Sequence, residues 1–161
     1  MNWIHFLSKE ITMPDDRKFG FREPAPESLL LELKKQFNLT QLPPELEELY
    51  TQTDGVDDFL YIKHLDESIK TGDLIWPVER VIKENTFHRT SENYKRLYKS
   101  FNNLFFFADA GNGDLIAFEM QDGVLEKSDV YFWNHEDDTR EWLASGLKVF
   151  IEGWLTGSIL I

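Results

Sequence analysis

The chain has 161 residues, a formal net charge of −12, and 42% hydrophobic and 14% aromatic residues. That length and apolar content require one folded domain with a substantial core and exclude a disordered or solvating chain. The charge argues against nucleic acid and anionic membranes as partners, because both need a basic face; the lack of cysteine excludes a disulfide scaffold, a thiolate metal site and a cysteine nucleophile.

The opening MNWIHFLSKEI has no basic leader and is broken by His5, Lys9 and Glu10, so it reads as neither a signal peptide nor a membrane span, and a cytoplasmic location is expected. Ile4, Leu7 and Ile11 lie at helical spacing beside Trp3 and Phe6, which predicts a short amphipathic helix that must dock. Residues 14–27, with three prolines and a glycine, predict an extended arm or loop. Residues 1–26 are therefore expected to form a short helix and arm ahead of a single domain over 27–161.

From Glu27 to Phe37, Leu29, Leu30, Leu33 and Phe37 recur at helical intervals, with Lys34 and Lys35 near the end where cations suit the helix dipole. LPPELEELYTQTDG predicts a second helix: prolines at its first turn, glutamates just inside, Leu46, Leu49 and Tyr50 on one face, and Gly55 as its stop. FLYIKHL at 59–65 and DLIWPV at 73–78 predict two short strands, the second limited by its proline. Residues 78–101 return to helical spacing at Val81, Ile82, Tyr94, Leu97, Tyr98 and Phe101. Lys83, Arg89, Lys95, Arg96 and Lys99 outnumber Glu84 and Glu92 there, so the segment is a basic counterpart to acidic stretches elsewhere.

The period then changes to two. Strands are predicted over 105–108, 114–120 and 130–133, the second and third joined around Gln121-Asp122-Gly123. The final helix follows Ser145 as N-cap, with Leu147, Phe150, Ile151, Trp154 and Leu155 as its stripe and Gly157 as its stop. The sum is an α+β domain: a mostly antiparallel sheet packed against N-terminal and C-terminal helices.

Asp109-Ala110-Gly111-Asn112-Gly113-Asp114 fails as a calcium loop, because glycines stand where oxygen ligands are needed and Met120 replaces the bidentate glutamate. As a phosphate cradle it lacks a following Gly-Lys-Ser/Thr and precedes a strand. Asn112-Gly113 between apolar runs instead signals a hairpin, since both residues tolerate the positive φ of a tight primed turn. His5, His64, His88 and His135 make no ligand pair at helix-turn spacing, NHEDDTRE reads as a solvated acidic loop, and no Gly-x-Ser-x-Gly occurs. No catalytic residue, metal or cofactor is expected.

Acidic residues concentrate in 45–58, which holds six and no base, and in 109–141, where ten oppose Lys127 and Arg140. Strand alternation sends Tyr131 and Trp133 to one face and Val130 and Phe132 to the other. Should the first pair face outward, it would supply anchors within an acidic rim.

LPPELEELYTQTDG, LIWPVERVIKEN, LFFFADAGNGDLIAFEM, and VYFWNHEDD followed by SGLKVFIEGWL, together spanning roughly 27–156, resemble the SUKH superfamily, in the branch similar to fungal cell-wall assembly regulators. Carried over by position, the family's proline-led helix falls on Pro43, Pro44, Leu46 and Tyr50 and ends at Gly55. Trp76 lies in its next segment, and its glycine-aspartate turn falls on Gly111, Asn112, Gly113 and Asp114. The resemblance implies a single α+β unit without catalytic activity. Many bacterial members are immunity proteins that block polymorphic toxins, often nucleases, whereas the fungal members resemble interaction hubs.

Joined to the acidic charge, this leads to an expected immunity protein that occludes a basic toxin domain, most simply a nuclease. The contact candidates are Asp57, Asp58, Asp114, Tyr131, Trp133, Glu136, Asp137 and Asp138. A regulatory interaction module without a toxin is the first alternative, and a metal-dependent enzyme built on the carboxylate-rich loops the second.

Overall fold

A computed structural model describes residues 1–12, 14, 16–120, 124–125 and 128–161 of the chain. Two antiparallel meanders carry the architecture. The first joins β1 (Arg17–Phe21), β2 (Val56–Ile62) and β3 (Glu67–Ile75), and the second joins β4 (Leu104–Asp109), β5 (Leu115–Glu119), β6 (Val130–Trp133) and β7 (Arg140–Ala144), each in chain order. Around them lie α1 (Trp3–His5), which runs into a π-helical stretch Phe6–Glu10, then α2 (Glu27–Gln36), α3 (Pro44–Tyr50), α4 (Val78–Thr90), α5 (Glu92–Leu97) and α6 (Leu147–Thr156). The fold is α+β, as the order of patterns requires. The expected Gln121-Asp122-Gly123 connection lies outside the described residues.

Part of the first 26 residues belongs to the core of the rest. Trp3, Phe6 and Leu7 are buried in the same cluster as the helices and sheets. The stretch read as an arm contains β1, in register with β2 from Arg17↔Leu60 to Phe21↔Val56. Phe19 and Phe21 stand two apart and are packed partly against the core, a strand signal that the surrounding prolines and charges obscure.

α2 and α3 form where their apolar spacing places them, and Pro44 stands in the first turn of α3. Gly55 has φ +81°, and a Cβ there would stand 2.7 Å from the Ile75 carbonyl oxygen and the Pro77 nitrogen, so glycine is required by both conformation and space. β2 starts at Val56, ahead of the expected residue 59, and β3 starts at Glu67, ahead of 73. The reason is physical: Glu67–Asp73 carries almost no apolar pattern, and its strand state comes from backbone pairing with β2.

The two sheets meet where Trp76 N–H donates to the Phe107 carbonyl (2.9 Å). Beside that point Asn85, fully buried on α4, donates to Phe106 O (2.7 Å) and accepts from Phe106 N–H (2.9 Å), so its carboxamide satisfies β4 as a further strand would. On the other face of β4, Phe107 stacks on Phe118 at 4.5 Å and meets Phe150 of α6 edge-on at 6.1 Å. The N-cap of α6 is Gly146 in extended backbone, one residue beyond the expected Ser145, and Glu45 of α3 accepts from Lys148 N–H (3.2 Å). A carboxylate from another helix thus takes the place of a local cap.

Candidate partner-binding face

The β4–β5 connection is a hairpin with a longer loop than the tight turn expected. Asp109 pairs with Leu115, and Ala110 N–H donates to the Asp114 carbonyl (3.0 Å). Gly111 (φ +83°) and Gly113 (φ +103°) take the left-handed conformations, while Asn112 does not. Side chains stabilise the loop internally: Asp109 accepts from Gly111 N–H and Asn112 from Asp114 N–H, both at 3.0 Å.

Asp114 is buried beneath that loop. It accepts from His135 N–H (3.0 Å), from His135 Nδ1 (2.6 Å) and from the Asn112 amide (2.8 Å). Burial works against its charge, but these hydrogen bonds prevail and hold its carboxyl below the usual range. Asp114 joins the 110–114 loop to the 134–139 loop, and its oxygens are already engaged.

Asp138 has a similar structural position at φ +61°. Its carboxylate accepts from Trp133 Nε1 (2.8 Å), Lys99 N–H (2.8 Å) and Arg140 Nη2 (3.0 Å). Despite its burial, those donors keep its carboxyl below the usual range. Glu136 and Asp137 differ, because both project into solvent. Asp137 also accepts from Thr139 N–H and Oγ1, which lowers its pKa.

Asp57 and Asp58 lie on β2, in an ion-pair network. Arg17 meets Asp58 at 2.6 Å; Arg22 meets Asp57 at 2.6 Å and Asp73 at 3.0 Å; Lys70 bridges the same two aspartates at 2.8 Å each. Arg80 extends the network from Asp73 (2.9 Å) to Asp109 (2.8 Å), which also accepts from Trp76 Nε1 (2.7 Å). Desolvation raises the Asp57 pKa less than Arg22 and Lys70 lower it. Four carboxylates thus face four cations, and the pair of aspartates read as free acids is neutralised within the fold.

The aromatic expectation changes as well. Trp133 is 1% exposed, enclosed by Tyr98, Phe101 and His88 with ring centroids at 5.1, 5.0 and 5.7 Å, so it presents no surface to a partner. Tyr131, two residues before it, lies beyond that cover and is half-buried. Its cross-strand neighbour is Trp142 on β7, which is 56% exposed. Tyr131 Oη donates to Glu119 (3.3 Å) and Trp142 Nε1 to Asp129 (3.1 Å), so two aromatic side chains stand within carboxylates. Burial and Glu119 together raise the Tyr131 pKa. The alternation in REWLA could have pointed to Trp142, but the charged NHEDDTRE before it masks the strand.

A family model described as the SMI1/KNR4 family (SUKH-1) matches residues 24–153. The chain belongs to this family. Among curated proteins, none matches the chain significantly. The residues expected as family motifs, from Pro43 to Asp114, lie within the matched range; of these, Leu46, Tyr50 and Trp76 are buried, and Tyr50 Oη donates to Trp76 O (2.8 Å). SUKH-1 membership carries a role of the immunity-protein or SMI1/KNR4 kind in broad terms, with a protein as partner; domains of this family are known as non-enzymatic modules. Among the described residues, no three His, Asp or Glu side chains gather to hold a metal ion, and no helix is long and apolar enough to cross a membrane.

Proposed function

We propose that this SUKH-1 protein is an immunity protein that binds a cognate toxin with a basic active-site groove, most simply a nuclease, and occludes it. The observation that carries this reading is the pair of half-buried Tyr131 on β6 and exposed Trp142 on β7, set between Glu119 and Asp129. Glu136 and Asp137 add exposed carboxylates at the end of β6. Aromatic anchors contribute to the lifetime of a complex, and rim acids contribute to the association rate with a basic partner. Asp57, Asp58, Asp114 and Asp138 are engaged within the fold and offer no free charge.

Co-expression with the toxin encoded beside the gene tests the reading. Protection that is lost in Trp142→Ala and kept in Glu79→Ala, a solvent-facing change on α4, is the expected result. A protein that folds and never protects is the regulatory module instead.

A further inference from the structure

Among the described residues of this acidic chain lies a cavity of the opposite character. Arg89, Tyr94, Lys95, Tyr98, Lys99 and Phe101, with His88 and Asn102, enclose about 270 Å³ between the end of α4, α5 and the approach to β4. Its aromatic wall is continuous: Tyr94 lies 5.0 Å from His88 and 5.2 Å from Tyr98, and Tyr98 lies 5.8 Å from Phe101.

Arg89 is the unusual member. Its Nη2 donates to Leu104 O (2.8 Å) and Met120 Sδ (3.2 Å), and its guanidinium carbon lies 4.6 Å from the centre of the Phe37 ring. Nε is buried without a partner, and among the described residues no carboxylate stands within ion-pair distance. A largely desolvated guanidinium is costly, and desolvation lowers the Arg89 pKa to about 10. Around it, Lys99 Nζ and Tyr94 Oη make no hydrogen bond among the described residues, while Lys95 is paired with Glu92 at 2.7 Å. The Glu84 carbonyl holds His88 Nδ1 at 2.7 Å, and the Asp138 carboxylate, which accepts from Lys99 N–H at 2.8 Å, is the acid in contact with the wall.

We propose that this cavity binds a carboxylate carried on an aromatic or short apolar body, either a free small acid or the terminal residue of a peptide. Arg89 and Lys99 place positive charge on the cavity wall, and the Tyr94, Tyr98 and Phe101 rings receive the body. The volume lies just below the common range of about 300–1,000 Å³ for ligand sites and fits a compact group. The site adjoins the 134–139 loop, where Asp138 accepts from Lys99 N–H (2.8 Å) and Tyr98 Oη donates to His135 O (2.9 Å), but its lining carries the opposite charge.

The test uses the full chain and observes the ring resonances of His88, Tyr94 and Tyr98 by NMR during titration. Benzoate stands for a free acid, and a short peptide ending in phenylalanine stands for a chain terminus. Saturable shifts of these rings with either acid, absent with benzamide and with the peptide amide, support the proposal and identify the source. Arg89→Gln should weaken binding about tenfold or more, as expected for loss of a charged hydrogen bond. Lys99→Gln, an exposed change that leaves the fold intact, should weaken it by a smaller factor. Equal binding of the neutral probes, no saturable shift with either acid, or inorganic phosphate displacing benzoate at equal concentration would overturn the assignment.

Discussion

Replacing Asp138 by alanine separates a structural carboxylate from a solvated one. The substitution removes the acceptor for the buried Trp133 Nε1, for Lys99 N–H and for Arg140, and it places a β-carbon without local hydrogen bonding at φ +61°. A hydrogen bond to a charged group contributes about 1.5–3 kcal/mol, but the Lys99 bond is exposed and contributes less. With the indole left unsatisfied, the net loss is about 3–5 kcal/mol. For a chain of this length, at about 2–4 °C per kcal/mol, the midpoint of thermal unfolding should fall by about 6–20 °C. Asp138→Asn keeps an acceptor and tolerance of the left-handed conformation, and should lose about half as much. Glu136→Ala, two residues away and exposed, should stay within about 0.5 kcal/mol of the parent. Scanning calorimetry on the three variants checks this. Asp138→Ala and Glu136→Ala melting within about 2 °C of each other would refute the assignment of Asp138 to the scaffold.

Gly55→Ala meets both a left-handed φ and 2.7 Å contacts with Ile75 O and Pro77 N, so chemical denaturation should show at least about 2 kcal/mol of destabilisation. Asp57, Asp114 and Asp138 have depressed folded pKa values, so their contributions are complete above the unfolded carboxylate pKa of about 3.9 and are lost as pH falls through the folded values; Asp114→Asn should flatten this acid limb in pH-dependent melting. Burial lowers the His88 pKa, so its stabilising effect is full above the unfolded value of about 6.5 and declines below it; His88→Phe should reduce the pH dependence of the melting midpoint just under that value. With a toxin partner in hand, Glu136→Lys with Asp137→Lys should slow association more at low salt than at high salt, and Trp142→Ala should mainly speed dissociation. Equal loss at both salt concentrations would remove the steering role.

Much of the scaffold was legible from periodicity alone. The stripes of α2, α3 and α6 and the apolar runs of β4 and β5 report burial on one or both faces, which each segment encodes locally. Gly55 and Gly113 were legible as turn residues, but the observed loop places its positive φ values on Gly111 and Gly113, because Asp109 and Asn112 hydrogen-bond its backbone into a longer path. β1, β7 and the first half of β3 were not legible. They carry charges and one-sided aromatics, and they become strands because a paired neighbour supplies hydrogen bonds that no local pattern records.

The sequence by itself determined the α+β class, the excess of acid and the family motifs, since composition and spacing are properties of the chain alone. Which acids are free was decided by tertiary structure: Asp57 and Asp58 meet Arg22 and Arg17 across strands, Asp114 meets His135 between loops, and Asp138 turns inward to Trp133, leaving Glu136 and Asp137 outside. The same holds for the aromatics. Tyr98 and Phe101 close over Trp133, whereas Trp142, paired with Tyr131 across β6 and β7, is left 56% exposed. Charge and hydrophobicity are read along a chain, but exposure and ion pairing are set by residues brought together from distant positions.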